Sequence, residues 1–367
     1  MIRPWPGKNA PGSIPVDLPA PTLPPAVVPF PVFTPFRMRP DMFKLGASPY
    51  EPAESGPLAL DDRFADYSAG KRALGASCGM PLLLDPHADA GGVVAALVAA
   101  ICSMASAHPQ WIRLEAAGST RSIEFASSGL RILCEGGQRI TAQAMRAEAS
   151  ELAGAVERLP DGPMRLGAAL AWSIQEDFAL MAGRPEGLVA EALSVAFPSG
   201  WDPLTKIGRS FEQIHGPVAD GQALRTASAN LSRAMVEKGP FVRYVWTLAD
   251  TGALDQRPGL ARVSDERSVA GGAPAAATTA APDDSGPAGG SSVDDIWFRC
   301  ERQVTLPLAQ HDRGLFLIRV YTAPLAVAAA TPERRRLLAQ ALQSMAPEVI
   351  EYKNLERLRA VILKAWL

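Results

Sequence analysis

Apolar and polar positions recur with two different periods along this chain. Helical spacing marks residues 92–107, 164–181 and 223–238, and Thr331-Pro332-Glu333 begins another helix with an N-cap and an early proline. Runs rich in β-branched and aromatic residues predict short strands at 111–115, 122–125, 131–135, 188–197, 241–248, 296–306 and 315–321. Strands that are mostly antiparallel, with helices on one side, predict an α+β fold.

Two segments interrupt this pattern. Residues 1–40 hold twelve prolines, which favours an extended arm that lies on the domain surface through its apolar residues. The segment 252–294 is dominated at its centre by Ala, Gly, Ser, Pro and Thr, so we expect a flexible insertion that buries no core. Strand-like runs flank it, which predicts an insertion between two neighbouring strands of one sheet. Residues 41–251 and 295–367 then form a single domain.

Composition limits the classes of partner. The 367 residues are 47% hydrophobic and 20% charged, with a formal net charge of −2, which predicts a soluble globular protein without nucleic-acid or membrane partners. The apolar run 91–105 is shorter than the ~18 residues of a transmembrane helix, and no secretory signal is visible. The four cysteines stand far apart without zinc-site spacing, so we expect buried thiols in a reducing cytoplasm.

A loop dense in Pro, Gly and Trp, residues 197–218, delivers His215 between an Ile and a Gly-Pro pair. Glycine and proline fix backbone geometry, and a constrained loop can hold an imidazole at the angle that a metal or haem iron needs. Of the other histidines, His87 and His108 are expected at the surface and His311 in a turn. The thiolate of Cys300 is the rival ligand.

Five segments in one order carry a family resemblance. They are Gln175-Glu176-Asp177-Phe178, the loop 197–218, the strand 242–248, the strand 300–306, and Pro347-Glu348 with Tyr352-Lys353. Together they resemble the haem-binding alpha subunit of the heme-dependent oxidative N-demethylases, and their order and spacing agree from about residue 35 to residue 353. The resemblance implies a PAS-like fold, with an antiparallel sheet and flanking helices around the haem.

The resemblance also implies a chemistry. A heme b with His215 as axial ligand would use dioxygen to hydroxylate a methyl group of a small secondary amine such as dimethylamine. The carbinolamine would then collapse to formaldehyde and a primary amine. Electrons would come from NADPH through flavin and iron–sulfur partner subunits, for which this chain carries no motif.

Cationic side chains in apolar strands are candidate partners for the haem propionates. Arg243, Arg302 and Arg319 lie in such strands, where an arginine must find an anion or point outward; the first two are the preferred candidates, and a structural ion pair with a carboxylate such as Glu301 is the alternative. Lys206 can reach a propionate or cap its loop. Trp246 is expected in the core or in the haem-pocket wall.

The candidate catalytic acids are Glu176 and Asp177. A substrate amine is cationic at neutral pH, so a buried carboxylate can hold it and accept its proton. If the helix runs to residue 181, Ile174 and Phe178 mark its buried face, with Glu176 opposite and Asp177 beside it. Asp177 is therefore the favoured acid, and a solvated helix face is the alternative.

The chain departs from the family pattern at Val245, where the family often has Asn, and at Ala219, where it often has Pro. Loss of a polar group at Val245 bears on catalysis more than on haem binding. Two other functions therefore stay open: a non-catalytic haem or small-ligand module of PAS type, and a structural partner without haem.

Overall fold

We describe the protein from a computed structural model. It describes residues 21–38, 42–50, 56–78, 81–136, 139–185, 187–215, 233–258 and 292–367, with the backbone alone at 76–78 and 215. The predicted insertion therefore lies largely outside the described residues, as does the first half of the proline-rich arm, and their flexible and extended states remain predictions.

Within those ranges the strands form two antiparallel sheets. In chain order they are β1 (Phe43–Lys44), β2 (Leu83–Leu84), β3 (Ile112–Ala117), β4 (Thr120–Phe125), β5 (Leu130–Glu135), β6 (Arg139–Ala144), β7 (Asp177–Arg184), β8 (Gly187–Ser194), β9 (Phe241–Ala249), β10 (Trp297–Leu308) and β11 (Arg313–Pro324). The larger sheet has the order β1-β9-β10-β11-β7-β8-β2, and the smaller sheet has the order β3-β4-β5-β6.

The helices with described bounds are α1 (Phe64–Cys78), α2 (Ala90–Ala107), α3 (Ser150–Glu157), α4 (Pro163–Ser173), α5 (Phe211–His215), α6 (Leu325–Ala328), α7 (Pro332–Gln343), α8 (Pro347–Tyr352) and α9 (Glu356–Trp366). The main core joins α2 and α4 to one face of each sheet. A second core lies at the other end of the same face of the larger sheet, where the four helices from α6 through α9 pack. Among the described helices, α2 alone is long and apolar enough to cross a membrane, and half of it is buried in the main core.

The register gives the larger sheet two faces of different character, because directly paired residues project to the same side. Val304 pairs with Leu317, which pairs with Phe178, and all three enter the main core. We call this the packed face. On the other side, four residues form a row across the strands, Asp177 pairing with Ile318, Ile318 with Gln303, and Gln303 with Arg243. We call this the loop face.

Most of the predicted elements are confirmed. The helix at 92–107 is α2, the three short strands are β3 to β5, and Thr331 accepts a hydrogen bond from the backbone N–H of Arg334 as an N-cap. Strands β9 and β10, which flank the segment rich in Ala and Gly, are neighbours as expected. The sequence analysis did not predict the four-stranded second sheet as a separate layer, and it missed β6 and the short edge strands β1 and β2.

The helix predicted for 164–181 is wrong in its second half. Helix α4 ends at Ser173, Ile174 is extended with φ −127° and ψ 159°, and β7 begins at Asp177. The first six residues of β7 are all buried, because both of its faces are covered. A strand of this kind is an unbroken apolar run, which periodicity cannot distinguish from a buried helix.

The described part of the proline-rich arm, residues 21–38, has no helix or strand and packs against the second core. Phe30 stacks on Phe298 with ring centroids 5.2 Å apart, and Phe36 meets Trp246 edge-on at 5.7 Å. These aromatic contacts hold the arm on the domain, which was the expected placement.

Candidate functional site

The first candidate acid, Asp177, anchors the loop that follows β8. Its Oδ2 accepts the backbone N–H groups of Ala196 at 3.0 Å and of Phe197 at 2.7 Å. Its Oδ1 lies 3.5 Å from the Nζ of Lys71, and both side chains are almost completely buried. Burial raises the pKa of Asp177, against the pull of the Lys71 charge, and burial lowers the pKa of Lys71.

The second candidate acid, Glu176, is oriented differently. Its Oε1 accepts the backbone N–H of Ala59 at 2.7 Å, and its Oε2 is buried without a hydrogen-bond partner. The expectation that Glu176 lies opposite a buried helix face is wrong, because it is 0% exposed at the junction of α4 and β7. Lys71 donates to the carbonyls of Ile174, at 3.2 Å, and of Glu176. The lysine therefore fastens this junction to α1.

Gln175 and Arg319 extend this buried polar network around Asp61. The Gln175 side chain accepts the N–H of Asp61 at 2.6 Å and donates to its Oδ1 at 2.8 Å. Arg319 donates to Asp61 Oδ2 at 2.6 Å and stacks over the Tyr67 ring at 3.9 Å. Arg319 therefore forms an ion pair within the protein, the alternative to a haem propionate that the sequence analysis left open. Lys71 and Asp61 were not singled out from the sequence, because no motif surrounds either of them.

Arg302 and Trp246 lie on the packed face. Arg302 is 1% exposed and donates to the carbonyls of Pro57 at 3.0 Å and Gly56 at 2.6 Å. It pairs with Tyr244, whereas Arg243 pairs with Gln303 on the loop face, so the structure does not bring the two predicted propionate partners together. Trp246 is enclosed by Phe36, Phe298 and the C-terminal helices. It therefore lies in the core, which was one of its two expected positions, the other being the haem-pocket wall.

Ser199 and Arg299 fix the constrained loop on the loop face. Ser199 donates its hydroxyl to Oε1 of Glu301 at 2.5 Å and accepts Nε of Arg299 at 2.6 Å. Arg299 also donates to the carbonyls of Phe197 at 2.7 Å and Leu254 at 2.9 Å. The loop is therefore held at one end by Asp177 and in its middle by Arg299 and Glu301.

Three of the resembling segments converge on Glu301. Its Oε2 accepts the amide Nε2 of Gln303 at 2.8 Å. Burial lowers the pKa of Arg243, and the charge of Glu301 opposes this. Burial likewise lowers the pKa of Lys353 to about 8, which Glu301 counteracts and Arg243 reinforces. Burial raises the pKa of the neighbouring Tyr352, and the charge of Glu301 adds to the rise while that of Arg243 opposes it. Arg243, Lys353 and Arg299 around one carboxylate leave an excess of positive charge. The sequence analysis noted Lys353 as part of a helix signature and did not propose it as a cation of the site.

Among the described residues, four polar atoms on the loop face are buried without a hydrogen-bond partner. They are Nε of Arg243, Oε1 of Gln303, Oγ1 of Thr305 and Oδ1 of Asp177, the last of which lies 3.5 Å from the ammonium of Lys71. Buried polar groups are almost always paired in native proteins, so unpaired ones mark a site that another group completes. Arg243 offers a donor and Gln303 an acceptor, while the hydroxyl of Thr305 can act as either.

Helix α5, which ends at His215, packs on the neighbouring part of the loop face. Phe211 and Ile214 contact an apolar cluster that includes Ala179, Met181 and Leu193. Lys206 donates to the carbonyl of Ile214 at 3.3 Å, which ties the loop to the end of this helix. The backbone of His215 therefore stands above the sheet, and its side chain lies outside what the structure describes.

The other histidines are placed as follows. His87 is exposed and His311 ends a turn, as expected. The surface position expected for His108 is wrong, because its ring is 6% exposed and its Nε2 accepts the N–H of Leu58 at 3.1 Å. Its ring stacks on Trp111, which covers it from solvent. Cys300 is fully buried on the packed face, in the second core.

The fold and the site define an α+β domain with a helix and loop over one sheet face, and with unpaired donors and acceptors on that face. The chain belongs to the family of haem-dependent oxidative N-demethylases, alpha subunit-like, whose profile matches residues 53–363. Haem is thus the cofactor that the family implies. No curated protein matches the chain.

The residues of the loop face fit a haem. An apolar macrocycle with two carboxylates needs an apolar plane and cationic donors at one edge. Apolar side chains beside the row, such as Ile318, would line the plane, and the unpaired Nε of Arg243 with the neighbouring Lys353 would supply the cationic edge.

Proposed function

We propose that this protein is a haem-dependent oxidative N-demethylase of a small secondary amine, with its haem on the loop face. The observation that carries the proposal is the unpaired, buried Nε of Arg243 on the face over which the His215 helix lies. Family membership supports haem and oxidative demethylation, and the loop face offers cationic donors in the same row as the apolar side chain of Ile318.

The order of the central strands supports a PAS-like fold. Across the sheet these five strands follow one another as β8-β7-β11-β10-β9. If they are numbered one to five along the chain, starting at β7, this spatial order is 2-1-5-4-3. PAS domains share this order, and their helices follow the second strand and cover one face of the sheet. Helix α5 likewise follows β8 and covers the loop face. Fold alone does not fix function, so the argument rests on the site residues.

In this proposal each charged or ligating residue of the site has one role. His215 would bind the iron of a heme b, and Arg243 with Lys353 would bind its propionates. Lys206 holds the carbonyl at the end of the helix that bears the ligand. Asp177, paired with Lys71, and Arg299 fix the loop between β8 and α5. Asp177 then acts as a positioning residue, because its Oδ2 takes two backbone N–H groups and its Oδ1 lies against the ammonium of Lys71.

When bound, haem supplies the activation of dioxygen and the oxidation of a C–H bond beside nitrogen. For each methyl group released as formaldehyde, one oxygen atom enters the product and the other leaves as water, which requires two electrons and two protons. The family name implies partner subunits, and we propose that flavin and iron–sulfur partners deliver these electrons from NADPH. The chain's own residues bind, orient and enclose the reactants. The cytoplasmic location remains a prediction.

One observation favours a second candidate, a non-catalytic haem or small-ligand module. Val245 lies on the loop face, paired with Glu301, and its apolar side chain stands where the family often has an amide. The visible spectrum of the purified, haem-supplemented protein tests the shared claim, since both candidates require a Soret band. Formaldehyde release from dimethylamine under air, with reductant, separates the two, because the non-catalytic module releases none.

A further inference from the structure

We propose that the side-chain oxygen of Gln303 accepts the N–H of the substrate amine and thereby selects amines that carry an N–H. The proposal rests on the proposed function and adds to it the group that recognises nitrogen. Gln303 lies on the loop face, in the central row between Ile318 and Arg243, and is 8% exposed.

The amide of Gln303 has one orientation that its neighbours permit. Its Nε2 donates to Oε2 of Glu301 at 2.8 Å. Turning the amide over would set its oxygen against a carboxylate oxygen, and neither can donate. Glu301 is itself fixed, because its other oxygen accepts the hydroxyl of Ser199. The carbonyl oxygen of Gln303 is therefore held as an acceptor.

That oxygen has no donor in the part of the chain that the structure describes. Oε1 of Gln303 is buried and makes no hydrogen bond there. The haem propionates bring only acceptors and cannot satisfy it. A bound amine with an N–H can donate to this oxygen, and its N-methyl groups would then lie beside the apolar side chain of Ile318.

The alternative acceptor, Asp177, lies in the same row but is already paired with a cation of the protein. Its Oδ2 takes two backbone N–H groups, and its Oδ1, which has no hydrogen bond, lies 3.5 Å from the ammonium of Lys71. A neutral amide discriminates by geometry, since it gains from an N–H and offers nothing to a nitrogen that lacks one. Secondary amines are therefore favoured over uncharged tertiary amines of similar size.

The test uses haem-loaded full-length protein and two ligands, dimethylamine and trimethylamine, at a pH above the pKa of both amines so that each binds uncharged. Their dissociation constants are measured from the shift of the Soret band. In wild type, dimethylamine binds more tightly. In Gln303→Met, which keeps the volume and removes the amide, its dissociation constant should rise ~10-fold, the loss expected for one buried hydrogen bond, while that of trimethylamine stays the same.

Two further variants complete the experiment. Gln340→Met, the same change on the exposed face of α7, should alter neither constant. Glu301→Gln releases the amide and should reduce the preference for dimethylamine, which keeps the test informative if Gln303→Met does not fold. Equal weakening of both amines in Gln303→Met, or a haem-loaded wild type without preference, overturns this inference alone. A wild type that binds no haem overturns the proposed function with it.

Discussion

Asp177 accepts the backbone N–H of Phe197 at 2.7 Å, and this bond joins two segments that the sequence presents as separate motifs. The same carboxylate accepts the N–H of Ala196, so the loop leaves β8 in a fixed direction toward Ser199 and onward to α5. A buried carboxylate bonded to two backbone N–H groups fixes the course of the loop. Its loss should therefore disturb the position of α5 and of His215 at its end.

The buried pair of Asp177 and Lys71 is the first target for mutation. Removing one charge leaves the other buried and unpaired, so Asp177→Asn or Lys71→Met should each lower the free energy of unfolding by about 3–5 kcal/mol. The double variant should lose less than the sum of the two, because neither charge is then left alone. Guanidinium denaturation of the haem-free proteins measures all three values.

The positioning role of Asp177 adds a spectroscopic expectation. Asp177→Asn should give heterogeneous ligation of the haem iron, seen as multiple low-spin signals in electron paramagnetic resonance, with the Michaelis constant for amine nearly unchanged. A homogeneous wild-type signal combined with a strongly raised Michaelis constant would show that Asp177 touches the substrate instead.

Arg243 and Arg302 provide a matched pair on opposite faces of one sheet. Arg243→Met should weaken haem binding, by ~10-fold or more for the loss of a buried charged hydrogen bond, and leave the melting temperature of haem-free protein nearly unchanged. Arg302→Met should lower the melting temperature of both forms, because the carbonyls of Gly56 and Pro57 lose their donor.

Haem affinity for both variants is measured by fluorescence quenching, at a temperature where each remains folded. If the effects were exchanged, with Arg302→Met losing haem and Arg243→Met losing only stability, the cofactor would belong on the packed face.

The ligand assignment gives a third prediction. His215→Ala should lose the haem or shift its Soret band, because the iron loses its axial imidazole. His87→Ala, at an exposed position, is the control and should keep the wild-type spectrum. Identical spectra and haem content in the two variants would rule out His215 as the ligand.

The element pattern and the order of the motifs could be predicted from the sequence because both are local properties. Loop composition predicted a constrained segment at 197–218, and hydrogen bonds from Asp177 and Arg299 fix its beginning. The side of the sheet on which each arginine lies could not be predicted, because it depends on register, and a shift of one residue exchanges the faces. Arg302 and Arg243 occupy similar apolar strands and differ only in this respect.

The other misses share a physical cause. Lys71 and Asp61 lie in a helix and a loop whose sequences carry no motif, and only tertiary packing brings them to Asp177 and Gln175. The buried strand β7 imitates a helix in its apolar spacing, which misplaced Glu176 and Asp177. Lys353 approaches Glu301 from the C-terminal helices, and that approach is a long-range contact that no pattern in the sequence encodes.

Stability should depend on pH through His108. Burial lowers its pKa to about 4, with the charge of Arg302 adding to the effect. The ordinary histidine pKa is about 6.5, so the unfolded chain binds a proton below that value while the folded protein does not. Stability is therefore lost as pH falls from about 6.5 toward 4, and the loss levels off below it.

The measurement is the unfolding free energy of wild type and His108→Gln across this pH range. Glutamine can accept the N–H of Leu58 but does not titrate, so its profile should be flatter. Parallel profiles for the two proteins would remove His108 as the source of the dependence.

Formaldehyde release from dimethylamine tests the central claim most directly. Haem-loaded protein is mixed with dimethylamine in air-saturated buffer together with a chemical reductant that supplies two electrons for each methyl group removed. The account predicts formaldehyde from the protein loaded with haem, in an amount limited by the reductant supplied, and none without dioxygen. A protein that carries haem through His215 yet releases no formaldehyde, with dimethylamine or with other small secondary amines, would contradict the account and identify a non-catalytic haem module.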